Sequence, residues 1–448
     1  MTKHDQGLIM KKALEIKEYY TLSDVADILS VSKETLRRWD NSGKLKPIRH
    51  PINNYRVYHK DQLTQFDEAK LMLNTTWVEE KEIKPLKEIN SIELFAGAGG
   101  MAVGMELAGF NHVLLNEIDK YASATLKNNR PQWNIVNQDI SKVSFKNYLD
   151  QVDFVSGGFP CQAFSYAGNK KGFEDTRGTL FFEFARAIKE IQPKIFLAEN
   201  VRGLLKHNNG DTINTIINAI DDIGYELISE PTLIKAIFHR VPQKRERLFI
   251  VGIRKDILQA HPDLKNYFKW PSPYKRIYTL RDAFYKGELF PCDVPESPGQ
   301  SYPISKKEIL DLVPPGGYWK HLPEELQRAY MKGSYHLGGG KTGIARRLSL
   351  DEPSLTLTCS PAQKQTERCH PLETRPLTVR EYARIQTFPD HWSFVGSMTN
   401  QYKQIGNAVP VNLAHSVGLS IVRLLNKVYC LEHEKNDAAQ TAKQLELI

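Results

Sequence analysis

Apolar residues recur at two different periods along this chain, and the change of period marks its organisation. Near the N-terminus Leu22, Val25, Ala26 and Leu29 fall at helical spacing. Ser30-Val31-Ser32 then turns the chain, and Ser32 is placed to cap a second helix through Thr35, Leu36 and Trp39. Asn41-Ser42-Gly43 ends that helix, and Asn53-Asn54 sets a turn before the alternating Tyr55-Arg56-Val57-Tyr58. Residues 1–75 are therefore expected to form a small helical module, with a mixed-charge linker over 76–90. From Ser91-Ile92-Glu93-Leu94-Phe95 onward, buried strands alternate with helices. The pattern predicts helix 101–109, strand 112–117, helix 119–129, strand 151–156, helix 179–191, strand 194–198 and helix 211–223. Such alternation predicts an α/β doubly wound sheet, mostly parallel, with ligands at the carboxyl ends of its strands.

After Ile253 the rhythm fails. Residues 254–374 are rich in Pro, Gly, aromatic and basic residues, as in Val313-Pro314-Pro315-Gly316-Gly317-Tyr318. The expected organisation is a catalytic-type domain over 91–264, a loop-rich domain over 265–374, and a return to the first domain over 375–448. Helices are predicted near 378–386 and 408–426, followed by a polar tail. Thr356, Leu357 and Thr358 read as a strand that would hold the loops of the second domain.

Composition narrows the class. The 448 residues exceed one typical core. No long apolar run predicts a membrane span, and the polar start lacks the form of a secretory signal. Five scattered cysteines favour a reducing, cytoplasmic setting over a disulfide scaffold, and none has structural-zinc spacing, so no metal is expected. Net charge is +8, which allows a polyanionic partner. Between Val31 and Lys60 eight Lys or Arg stand against two acids, so the N-terminal module carries much of the excess.

Two groups of residues carry chemistry. Phe95-Ala96-Gly97-Ala98-Gly99-Gly100 joins a strand to a helix, where glycines permit a tight turn and close approach of a ligand. Glu117 ends the next strand, where a carboxylate can accept hydrogen bonds from ribose hydroxyls. Phe95 offers a ring to an adenine, and Asp139-Ile140 a contact to a base edge. Ordinary α/β packing and dinucleotide sites use the same turn. The second group is Gly158-Phe159-Pro160-Cys161-Gln162, answered by Ala198-Glu199-Asn200-Val201. A cysteine on a strand-end turn and a carboxylate at a later strand end suit covalent attack on a ring that is protonated as it is attacked.

With both groups in view, residues 90 to 425 resemble the DNA cytosine-5 methyltransferases. Gln243-Lys244-Arg245-Glu246-Arg247 matches that family's Gln-x-Arg-x-Arg element. Arg375-Pro376-Leu377-Thr378, continuing to Glu381, Arg384 and Phe388-Pro389, matches a further block, and Gln404-Ile405-Gly406-Asn407-Ala408-Val409 the last. Gln386 departs from the family, many members of which carry a small or apolar residue there. The resemblance implies a Rossmann-like fold, duplex DNA as partner and S-adenosylmethionine as methyl donor. It implies Cys161 as nucleophile toward C6 of cytosine, Glu199 at N3 and the exocyclic amine, Arg247 at O2, and Arg245 in support. Phe95, Gly97, Gly99, Glu117, Ile118, Asp139, Ile140, Pro160, Leu180 and Asn407 would hold the donor.

Base flipping follows, because the target carbon is inaccessible in stacked duplex. The segment after Cys161, with Ser165, Lys170 and Arg177, is expected to close over the extruded base. Target reading falls to the variable segment 265–374, where Arg346, Arg347, Lys364, Gln365 and Arg368 are of types that read bases or grip phosphate; solvated loops are the alternative. The N-terminal module resembles the winged helix-turn-helix of the MerR family. Lys33, Arg37 and Arg38 would face a major groove and Arg56 the backbone, for substrate DNA or the gene's own promoter; a basic helical hairpin packed on the larger domain or on another protein is the alternative. The family resemblance further implies a bacterial modification enzyme paired with a cognate restriction endonuclease. A tRNA enzyme with the same motifs and a DNA-binding regulator on a degenerate core are the rival readings.

Overall fold

The computed structural model describes residues 18–51, 54–160, 180–336, 338 and 341–445, with side chains as far as Glu434. The N-terminal module holds strand β1 (Tyr19–Thr21), helix α1 (Leu22–Ile28), helix α2 (Lys33–Asn41) and strands β2 (Ile48–Arg49) and β3 (Arg56–His59). The strands form a small antiparallel sheet in the order β1-β3-β2. Both helices begin on the expected chemistry. Thr21 and Asp24 form a capping box on α1, and the Ser32 hydroxyl accepts from the Thr35 N–H at 2.9 Å on α2.

The main sheet contains β4 (Ile89–Leu94), β5 (Phe110–Asn116), β6 (Ile135–Val136), β7 (Phe154–Gly157), β8 (Ile195–Asn200), β9 (Tyr225–Leu227) and β10 (Thr232–Lys235). β11 (Gln243–Lys244) lies outside it, and β12 (Glu246–Arg254) completes it. The order is β10-β12-β8-β7-β4-β5-β6, with β9 on the far end of β12. β8 through β6 are parallel, whereas β12 runs antiparallel against β8 and β10. Nearly every residue of β4, β7 and β8 is buried, including Ser91, Glu93 and Ser156, as expected where helices cover both faces of a parallel sheet. One such helix, Gly100–Ala108, packs on the long C-terminal helix Val411–Leu445.

Two expectations need correction. The stretch 76–90 is not a free tether. It carries the short helix Trp77–Glu80, whose Trp77 is buried in the main core, and the Glu80 carboxylate accepts from the Ser272 N–H and hydroxyl. Mixed charge marked its exposed side only. The strand of the variable region is Ser354–Leu355, paired parallel with β11, and not 356–358. A separate stretch, Met398–Glu434, is long and apolar enough by composition to cross a membrane, and 78% of its apolar window is buried inside the protein. A helix enclosed by its own core is apolar on most sides.

Candidate active site

Glu199 stands at the carboxyl end of β8, beside the end of β7 that leads into Gly158-Phe159-Pro160. On the antiparallel neighbour, Phe249 pairs with Glu199, which places Arg247 on the same face two residues away. Arg247 Nε lies 2.6 Å from Glu199 Oε1, and both side chains are nearly buried. Burial pushes the Glu199 carboxyl upward, against the lowering pull of Arg247 and Arg245. Gly158 makes this approach possible, because a Cβ there would lie 2.7 Å from Glu199 Oε2. Asn200 holds the neighbouring turn: its Nδ2 donates to the Phe159 carbonyl at 2.9 Å, and its Oδ1 accepts from the Val201 N–H.

Arg245 is buried and donates to the carbonyls of Gly406 at 2.9 Å and Leu357 at 3.2 Å. It thus pins three distant segments together at the cavity wall. Gln386 extends the same brace. It accepts from Gln243 Nε2 at 2.8 Å and donates to the carbonyls of Ile405 and Ala408. The one departure from the family pattern is therefore a fully buried junction of three motifs.

Glu199, Arg245 and Arg247 line one part of a cavity of about 1040 Å³. Phe95, Gly97, Glu117, Ile118, Asp139, Ile140, Pro160, Leu180 and Asn407 also line it, although they come from widely separated turns. Phe95 sits at a left-handed φ of 57°, a strained conformation for an aromatic residue that fits a turn shaped for a ligand. Glu117 accepts from the N–H groups of Gly97 and Asp119, each at 2.7 Å, and burial raises its pKa. Gly99 is the exception. It lines no part of the cavity; a Cβ there would meet Leu126 and Trp392 at under 3 Å, so its smallness serves packing behind the turn.

Glu93 went unnoticed in the sequence because it occupies an apolar strand. It is fully buried, lines the same cavity, has one carboxylate oxygen without a hydrogen bond, and has its pKa raised to about 8 by burial. Glu117, Asp119 and Asp139 make this half of the cavity acidic, with Lys403 as the opposing cation. That donor set fits a ligand with a ribose, an amine and a sulfonium charge.

Cys161, Ser165, Lys170 and Arg177 lie outside the described residues. Of the residues expected to touch DNA, Arg37 and Arg38 are exposed on α2, and Arg56 is exposed 3.9 Å from Asp40. Lys33 is ion-paired to Glu352 at 2.7 Å. Lys364 donates to the Tyr330 carbonyl, Gln365 is exposed, and Arg346 is largely covered near Glu352. Two residues contradict expectation. Arg347 is buried and donates to Leu310 O, His370 O and the Thr374 hydroxyl, while buried Arg368 donates to the carbonyls of Glu367 and Thr356. Both guanidiniums satisfy backbone carbonyls in a loop-rich region and are closed to DNA.

Residues 89–423 match the family described as C-5 cytosine-specific DNA methylase. The chain belongs to that family. It is a DNA cytosine-5 methyltransferase with a doubly wound α/β fold. Residues 21–58 match the MerR family regulatory protein. The chain is 62% identical over 413 residues to the Type II methyltransferase M.Eco47II of Escherichia coli, covering 92% of this chain and 97% of that one. It is 40% identical to the Type II methyltransferase M.Sau96I of Staphylococcus aureus, over 94% of this chain and 99% of that one. A solved DNA modification methyltransferase encoded within an E. coli prophage shares the fold, with a TM-score of 0.58 at 24% identity over 76% of this chain and 100% of that one.

Proposed function

We propose that this methyltransferase modifies C5 of a cytosine extruded from a specific duplex sequence, as the modification partner of a restriction endonuclease. The observation that carries the reading is the Glu199–Arg247 pair, set where the chain turns toward Cys161 and facing the large cavity. S-adenosylmethionine, when bound against Phe95, Glu117, Asp139 and Asn407, supplies an electrophilic methyl group. The remaining chemistry belongs to the chain. C5 of cytosine is a weak nucleophile until the Cys161 thiolate adds to C6 and breaks the aromaticity, which moves electron density to C5. An ordinary thiol is only a few per cent ionised at neutral pH, so the addition needs the ring to accept charge. Glu199, whose pKa burial raises against the pull of Arg247, is placed to give or share a proton with N3. Arg247 donates to O2 and stabilises the charge that develops there; after transfer, loss of the C5 proton to a base lets the ring expel the Cys161 thiolate and regain its aromaticity.

The relatives' description as Type II enzymes supports the pairing with an endonuclease. The MerR match supports a second DNA-binding role for the N-terminal module, at the gene's own promoter.

Expression in a methylation-free bacterial host followed by bisulfite sequencing tests the reading. Protected cytosines within one sequence motif are expected; no protected cytosine overturns it. Cys161→Ala is expected to abolish protection and to lose covalent capture by 5-fluorocytosine duplex. Capture by the alanine variant would remove Cys161 from its assigned role.

A further inference from the structure

The N-terminal module does not stand apart from the catalytic domain. Ile237 and Phe238 of the catalytic domain are buried in the module's own apolar core, with Val25, Ile28 and Leu36. Two ion pairs fasten the same face: Lys244 Nζ to Asp27 at 2.7 Å, and Lys33 Nζ to Glu352 at 2.7 Å. Lys244 sits in the Gln-x-Arg-x-Arg element, and Glu352 in the variable region. The module is therefore seated across both parts of the methyltransferase. A tethered reader needs no such seat.

Between the module and the catalytic domain runs a groove of about 460 Å³. Asp27, Ser30 and Val31 form one wall, and Arg202, Lys235 and Lys244 belong to the other. The groove shares Val201, Arg245, Arg247 and Thr356 with the catalytic cavity, so the two lie side by side. Its lining carries five cations against two acids, Asp27 and Glu246. Arg202 is bound to Glu246 at 2.8 Å, and Lys235 has no ion pair among the described residues. A concave cationic groove beside the base pocket matches the phosphates of a strand whose base enters that pocket.

We propose that this groove seats the sugar-phosphate backbone of the target strand beside the extruded cytosine, making the N-terminal module a fixed wall of the substrate cleft. The proposal rests on the reading of the enzyme given above. It assigns Lys235 and Arg202 to phosphate contact and gives the module a part in substrate binding that does not depend on promoter recognition. The contacts are to backbone, so they hold for any base sequence.

The test measures binding of the full-length protein to a fluorescent duplex containing the modified sequence, and to an unrelated duplex, between 50 and 200 mM salt. Lys235→Glu and Arg202→Glu are expected to weaken both duplexes about tenfold and to lower the slope of log affinity against log salt by about 1. Affinity for S-adenosylhomocysteine should stay at the wild-type value, which certifies the fold. Lys127→Glu, the same charge change on the helix Lys120–Asn129 outside the groove, should bind as wild type. Wild-type affinity and slope in both groove variants would overturn the proposal, as would an equal loss in Lys127→Glu. Failure of the wild-type enzyme to protect cytosines in bisulfite sequencing would instead remove the functional reading beneath it.

Discussion

Two pairs of arginines look alike in the sequence and differ in the fold. Arg245, just before β12, and Arg247, within it, line the cavity, and Arg247 meets a carboxylate that shares its pocket. Arg347 and Arg368 lie in the loop-rich region and meet mainly backbone carbonyls. An arginine facing an acid across a cavity keeps donors for a ligand. An arginine surrounded by carbonyls replaces the sheet or helix that a long irregular segment lacks. Even within the first pair the roles split, since Arg245 braces Leu357 and Gly406 while Arg247 faces the site.

The contrast is sharpest in the expected kinetics. Arg247→Ala should lower kcat by about 10²–10³, the usual effect of losing one donor to developing charge. Its thermal unfolding should move little, because a buried Glu199 left alone can take up a proton. Arg347→Ala should do the reverse, costing about 2–4 kcal/mol of stability by leaving buried carbonyls unpaired. Denaturant unfolding checks it; unchanged stability with weakened DNA affinity would return Arg347 to the reading surface.

A smaller effect is expected at the brace. Gln386→Met should cost about 1–3 kcal/mol, since it strands Gln243 Nε2 and two carbonyls. A neutral result in calorimetry would show that the three motifs are held without it. A pH effect is expected at Glu93. The folded chain keeps its proton to about pH 8, while the unfolded chain releases it near the ordinary value of 4.5. Between those values the folded state binds more protons, so stability falls as pH rises, by at most about 1.4 kcal/mol per pH unit. Glu93→Gln should flatten that fall in melts between pH 5 and 8; an unchanged slope would assign it to other groups.

The alternating elements of the methyltransferase sheet were legible because each strand and helix is defined over a few neighbouring residues. Ser32 announced its helix, and Phe95-Ala96-Gly97 announced a turn with one face open to a ligand. Legibility failed where the decisive partner is remote. Trp77 looked like part of a linker because its core neighbours come from strands and from the C-terminal helix. Gly99 looked like a ligand-facing glycine because Trp392, which fills the space against it, lies almost three hundred residues away.

What the sequence by itself determined was the order of elements, the residue types at the site, and through them the class of reaction. Only the tertiary structure decided which of many basic residues face a ligand, that Glu93 lies buried on the cavity wall, and that the N-terminal module is fastened to the catalytic domain. The physical reason is range. Secondary structure and strand-end turns depend on local sterics and hydrogen bonds, whereas burial of a charge, the partner it finds and the groove it lines depend on segments brought together from opposite ends of the chain.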